Sequence, residues 1–163
     1  MNVGYYLAKL GDKFFGFKSA SAHCDIPCGI YDPHLAQLAS HTVLRMVNLI
    51  QQLDSDSKYY GHKLARYTAT KEEHAELVKY EISVLWGDYF KPEHFEKFPE
   101  LKDLLWKTMV QASKARQGTE EEDAIALLES VQRIAEIFWE SKGRKSLRVT
   151  APYPTEREIV LHP

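Results

Sequence analysis

The sequence predicts an all-α protein, an up-and-down four-helix bundle with an irregular N-terminal hook ahead of its first helix. Three observations predict it. Apolar residues recur at helical spacing in four successive stretches, and the connections between those stretches are short. Proline or glycine stands at most of the boundaries, at Pro33, Pro92, Pro99, Gly118 and Gly143. A chain of 163 residues, 44% apolar and 27% charged, suits one domain with its own core. Lys plus Arg is 21 against 23 for Asp plus Glu, a net charge of −2, so nothing points to nucleic acid. No apolar run approaches the roughly 18–20 residues that cross a bilayer, and no membrane partner is expected.

Residues 1–22 differ in character from the rest. Tyr5, Tyr6, Phe14, Phe15 and Phe17 interleave with Lys9, Lys13 and Lys18, and Gly4, Gly11 and Gly16 interrupt any helix. Ala20-Ser21-Ala22 has the small-x-small form of a processing site, yet the continuous apolar stretch of a secretory signal is missing. The segment reads as a removable leader, and the protein is expected to be cytoplasmic. Residues 23–33, HCDIPCGIYDP, cannot be regular structure, because Pro27, Gly29 and Pro33 break it. They form the hook.

The first helix is expected from Asp32 as N-cap and Pro33 in its first turn to about Leu53. Leu35, Leu38, Thr42, Met46, Leu49 and Leu53 are its apolar stripe. The second helix spans roughly 59–90, with Leu64, Ala75, Leu77, Val78, Ile82, Leu85 and Trp86 inward. The third follows Pro99 and buries Leu101, Leu104, Leu105, Met109 and Ala112. Thr119 is expected to cap the fourth, whose face is Ala124, Leu127, Leu128, Val131, Ile134, Ile137 and Phe138, and Gly143 ends it. Residues 144–163 hold three prolines and no helical period, and are expected on the bundle or against a neighbouring subunit. The domain of interest is thus 23–143.

Cys24 and Cys28 are the only cysteines, too few for a disulfide framework. A C-x-x-x-C pair alone leaves a redox pair, a zinc half-site and an inert pair all open. His23 beside Cys24, directly after the small-residue site, narrows the choice. Cleavage after Ala22 would give His23 a free α-amine, and the next amide nitrogen belongs to Cys24. Amine and amide close one five-membered chelate ring, and the same amide with the Cys24 sulfur closes a second. Pro27 turns the chain so that the Cys28 sulfur takes the fourth corner. Such a planar N2S2 set favours nickel(II) or copper(II) over tetrahedral zinc, and leaves the His23 imidazole to bind above the plane. Thiolates and an ionised amide push electron density onto the metal, which suits a substrate that exchanges single electrons.

The string His23-Cys24-Asp25-Ile26-Pro27-Cys28-Gly29-Ile30-Tyr31-Asp32-Pro33 resembles the N-terminal hook of nickel superoxide dismutases. A second block, from Leu85 through Trp86-Gly87-Asp88-Tyr89-Phe90-Lys91-Pro92 to Lys97, is similar to the same family's helix end and following loop. The resemblance spans about residues 20 to 142. It implies one nickel ion per subunit, held by the His23 amine and imidazole, the Cys24 amide, and the Cys24 and Cys28 thiolates. It implies a homohexamer and a leader-processing protease that frees His23. Tyr31 and Tyr89 match tyrosines over the open metal face, and Asp25 matches a carboxylate that braces the hook. The activity implied is conversion of two superoxide ions and two protons to dioxygen and hydrogen peroxide, with nickel cycling between Ni(II) and Ni(III).

The chain departs from the family's pattern at two places. The family's best-known members brace the axial imidazole with a glutamate of the first helix and an arginine of the second; counted from the hook and from Trp86, those positions are Ala39 and His74 here. Leader loss would also take the net charge to −4, so any attraction of superoxide must be local, and Lys91 reads either as a solvated charge at a helix end or as a local positive charge for the anion. Trp86, Phe90, Phe138 and Trp139 are more aromatic surface than one small bundle is expected to cover, which points to burial between subunits. A nickel or copper carrier without turnover is the alternative function. A thiol-exchange protein using Cys24 and Cys28 is another.

Overall fold

The structure, a computed structural model, describes residues 28–163. Helix α1 spans His34–Gln51 and α2 spans Tyr60–Val84, which continues into a single π-turn at Leu85–Tyr89. A short α3, Pro92–Lys97, leads into α4, Leu101–Gln117, and α5, Glu121–Ser141. Strands β1, Leu147–Thr150, and β2, Glu158–Leu161, close the chain as an antiparallel hairpin with Leu147 opposite Leu161. The four long helices form a ring in which α1 packs on α2 and α5, and α4 packs on the same two. Sequence neighbours are spatial neighbours, which is the up-and-down bundle expected. Among the described residues, no helix is long and apolar enough to cross a membrane.

The helix boundaries follow local chemistry. The Asp32 carboxylate accepts the His34 amide at 2.7 Å, so the aspartate serves the first turn of α1 as anticipated. Thr119 does not cap α5: Glu120 stands in the N-cap position with no side-chain bond to the helix, and the first turn relies on Glu121, Glu122 and Asp123 instead. Gly143 ends α5 with φ of +69°, a left-handed value that glycine adopts without a Cβ clash, and the Arg144 amide returns to the Trp139 carbonyl at 2.9 Å. Buried Lys71 of α2 spans the other end of the bundle. Its ammonium donates to the carbonyls of Ala115, Arg116 and Gly118 at 2.7, 2.5 and 2.7 Å, serving the C-terminus of α4.

Helix α5 buries every residue of its expected stripe, from Ala124 to Phe138. Helix α1 corrects its own. Its buried face is Ala36, Ala39, Ser40, Val43, Leu44 and Val47, whereas Leu35 is exposed and Leu38, Thr42 and Met46 line a cavity. Small residues let α1 approach its neighbours closely, so the large side chains were the wrong guide. Leu77 is likewise at the surface of α2. Phe90, Phe138 and Trp139 are all covered within one chain and Trp86 is partly buried, so most of the expected surplus of aromatic surface is not there. The exposed apolar side chains are others, among them Ile30, Tyr80 and Trp106.

The C-terminal extension lies on the bundle. Ile159 and Val160 are buried, and Arg148 of β1 donates to Glu136 at 2.6 Å and Gln132 at 3.0 Å on α5. The outer edge of β2 is met by side chains rather than by a third strand. Gln37 bonds both backbone groups of Val160, and Gln132 and His41 donate to the Glu158 carbonyl.

Candidate metal centre

The described chain begins inside the hook. Cys28 is exposed, and Gly29 turns the backbone with φ of +69°, so that the Ile30 amide points back to the Cys28 sulfur at 3.4 Å. An N–H donor on a cysteine sulfur stabilises its thiolate form, the form that binds a metal. His23, Cys24 and Asp25 lie outside the described residues. Among the described residues, no three His, Cys, Asp or Glu side chains are gathered so as to hold a metal ion.

Three residues after Cys28, Tyr31 packs against Tyr89, with ring centroids 5.5 Å apart and planes tilted by 52°. These two positions are 58 apart in sequence, and two local features bring them together. Asp32 and Pro33 start α1 immediately after Tyr31, while the π-turn at the end of α2 swings Tyr89 toward α5. The Phe90 amide reaches five residues back to the Leu85 carbonyl at 2.9 Å, and the extra residue rotates Tyr89 off the face it would hold in a regular helix. Tyr89 then sits in an aromatic nest. His94 stacks on it at 5.5 Å with planes 14° apart, Phe138 is 4.6 Å away and Phe90 5.1 Å. His94 is itself fixed, because its Nδ1 accepts the Lys91 amide at 2.9 Å at the start of α3. Both tyrosines are half-buried, each with one side in the core.

Two residues of this cluster were not singled out from the sequence. The Tyr89 hydroxyl lies 2.6 Å from Ser141 Oγ in the last turn of α5. The Lys142 ammonium sits 5.1 Å from the Tyr89 ring centroid and 5.0 Å from that of Phe138. Lys91, the cation expected from sequence, donates instead to the Asp88 carbonyl at 2.8 Å. The signal for Ser141 and Lys142 was only their place beside Gly143 at a helix end, and nothing local links them to Tyr89.

Ala39 and His74 lie elsewhere. Both line a cavity of about 570 Å³ between α1, α2 and the hairpin loop, together with Leu35, Arg45, Leu77 and Tyr153. His74 donates Nδ1–H to the Thr70 carbonyl of its own helix at 2.9 Å, which leaves Nε2 as an acceptor. At 1.5 Å per residue, fifteen positions of helix separate His74 from Tyr89 by roughly 20 Å.

The described residues thus form a four-helix bundle that carries Cys28 just ahead of its first helix, three residues from a tyrosine pair. Comparison with known proteins makes this specific. The chain matches the family model for nickel-containing superoxide dismutase over residues 18–142. It is 40% identical over 124 residues to a nickel superoxide dismutase of Streptomyces coelicolor, covering 76% of this chain and 91% of that one. The corresponding protein of Streptomyces seoulensis is 39% identical over 122 residues, covering 75% and 89%. A solved native nickel superoxide dismutase superposes with a TM-score of 0.67 at 40% identity, over 74% of this chain and 99% of the other. The chain belongs to the nickel-containing superoxide dismutase family. It is therefore a nickel-dependent enzyme whose substrate is superoxide, and the β-hairpin lies beyond the matched segment.

Proposed function

We propose that this enzyme dismutes superoxide at a nickel ion held by the His23 amine and imidazole, the Cys24 amide, and the Cys24 and Cys28 thiolates, after residues 1–22 are removed. The single observation that carries this placement is the Tyr31–Tyr89 ring pair three residues beyond Cys28. It sets two phenols beside the Cys28 end of the hook, where a small anion would approach. Ligands drawn from His23, Cys24 and Cys28 also suit a fold in which residues 28–163 gather no metal site of their own.

The nickel ion, cycling between Ni(II) and Ni(III), would exchange single electrons with superoxide. The net change is two superoxide ions and two protons to dioxygen and hydrogen peroxide, and the chain's own residues serve the proton side. Tyr31 and Tyr89 order water at the metal face, and Asp25 braces the hook. The Ile30 amide on the Cys28 sulfur withdraws electron density from that sulfur, which protects it from product peroxide. Lys142, over the Tyr89 ring, supplies a local positive charge that the net negative chain lacks.

The bracing of the axial His23 imidazole differs from the family pattern. The Ala39 side chain has no polar atom to offer, and His74 lines a cavity far from Tyr89, so within one subunit His74 and Tyr89 do not serve one nickel together. Assembly as a homohexamer, a leader-specific protease and a cytoplasmic site complete the proposal. The test is substitution on the form that starts at His23. Cys24→Ser and Cys28→Ser should lose nickel or the redox cycle. His23→Ala should keep nickel through its amine and lose nearly all turnover. Wild-type turnover in any of the three would overturn the ligand assignment.

A further inference from the structure

We propose that Ser141 is a positioning residue for the reaction, which fixes the Tyr89 phenol as a hydrogen-bond acceptor toward the metal face. The proposal rests on the reading of Tyr89 as a residue over the nickel. Its geometric basis is a chain of two hydrogen bonds whose direction can be settled. Ser141 Oγ lies 2.7 Å from the Phe138 carbonyl, which can only accept, so the one hydroxyl proton of Ser141 is spent there. Tyr89 and Ser141 are 2.6 Å apart, and Ser141 has only a lone pair left to offer. Tyr89 must therefore donate to Ser141. Among the described residues, Ser141 is the only hydrogen-bond partner of the Tyr89 hydroxyl.

The consequence concerns what Tyr89 shows to the site. Its proton points inward along α5, and its oxygen keeps lone pairs for any further contact. Superoxide is an anion and accepts hydrogen bonds, so Tyr89 cannot hold it directly. A water molecule can donate one hydrogen to Tyr89 and still offer its second to the incoming anion. Ser141 thereby places a proton-bearing water, rather than an anion-binding phenol, at the metal face. The aromatic nest of Phe90, His94 and Phe138 fixes the ring, so the hydroxyl direction is the one freedom left for Ser141 to set.

The test compares Ser141→Ala, Ser141→Thr and Tyr89→Phe. The first readout uses metal-free protein. The ultraviolet Raman difference between a given background and its Tyr89→Phe partner isolates the Tyr89 C–O stretch, which responds to the acceptor that the phenol donates to. The wild-type signature should shift in Ser141→Ala, where the freed proton turns to water, and return in Ser141→Thr, whose hydroxyl makes the same bond to Phe138. The second readout is inhibition of the nickel-loaded enzyme by azide. In Ser141→Ala the freed Tyr89 proton turns to the anion, so azide should bind about tenfold tighter, with KM and kcat both lowered, while Ser141→Thr stays near wild type. A merely structural role would leave azide affinity unchanged or weaken it. An unaltered Raman signature in Ser141→Ala overturns the proposal, as does unchanged or weaker azide binding in that variant. If the signature shifts but azide affinity is the same in wild type, Ser141→Ala and Tyr89→Phe, the placement of Tyr89 over the nickel is what fails, and the proposal falls with it.

Discussion

Gln37 of α1 pairs with Val160 of β2 as a neighbouring strand would: its side-chain amide donates to the Val160 carbonyl at 3.0 Å, and its carbonyl oxygen accepts the Val160 amide at 2.7 Å. Both residues are buried, so both backbone groups depend on this one side chain. Replacing Gln37 with Leu would fill the space and leave two buried polar groups without partners. The expected loss is about 2–3 kcal/mol of stability, with the hairpin becoming protease-sensitive before the bundle. Urea unfolding and limited proteolysis check this. Unchanged protection of residues 144–163 would contradict it.

A second consequence is a pH dependence of the same contact. Burial pushes the His41 pKa down, opposed by the bond from Nε2 to the Glu158 carbonyl, and Arg45 and His74 line the cavity on the same side. The neutral ring is favoured in the folded state, where Nε2–H donates to Glu158 and Nδ1 faces the Thr155 hydroxyl at 2.8 Å. The unfolded chain therefore binds the proton first as pH falls. Stability from this group is complete above about 6.5 and is lost on acidification from there toward the lowered folded pKa. His41→Gln should flatten the pH 5–7 stability profile, as followed by thermal melting. An equally steep profile in the variant would rule His41 out as its source.

Lys71 is the third point of test. Its ammonium is the shared donor for three carbonyls where α4 ends; burial lowers its pKa and the neighbouring Glu72 carboxylate opposes that. Lys71→Met keeps the stem and removes the donor. A loss of about 2–4 kcal/mol is expected from the stripped carbonyls. A midpoint in denaturant within experimental error of wild type would show that water replaces the ammonium without cost.

The charge beside Tyr89 has a kinetic signature. Lys142 lies over the Tyr89 ring, whereas the Lys91 ammonium is tied to the Asp88 carbonyl. Lys142→Gln should lower kcat/KM about threefold and weaken its dependence on ionic strength. Lys91→Gln should do less. The reverse order in stopped-flow superoxide decay would restore Lys91 as the attracting charge.

These residues also show what the sequence made legible. The bundle, its helix order and the face of α5 follow from apolar periodicity, because Leu127, Val131, Ile134 and Phe138 are large and regularly spaced. The face of α1 does not, since it packs through Ala36, Ala39 and Ser40, which carry little periodic signal, and its leucines border a cavity instead. The family was legible in the string around Cys28 and in the block around Tyr89, and the family model matches over both. The π-turn that aims Tyr89 was not, because one extra residue in a helical turn leaves no compositional mark. Ser141, Gln37 and His41 act across 52, 123 and 117 positions, distances over which only the fold sets the meaning of a residue. The hairpin was hidden by its prolines and by strands of only four residues.

The central claim is that the His23 nitrogen must be a free amine. In the full chain that nitrogen is an amide to Ala22, which donates only after losing its proton. Two adjacent ionised amides would add negative charge and lower the metal potential. A single extra residue shifts the amine one position upstream and changes the chelate ring. The most direct measurement is superoxide decay per mole of protein, with nickel content determined alongside, for three forms: the full chain, one starting at Ala22 and one starting at His23. Only the form starting at His23 is expected to carry nickel and turn over rapidly. Equal turnover by the full chain or by the Ala22 form would contradict the amine-ligand mechanism for this protein.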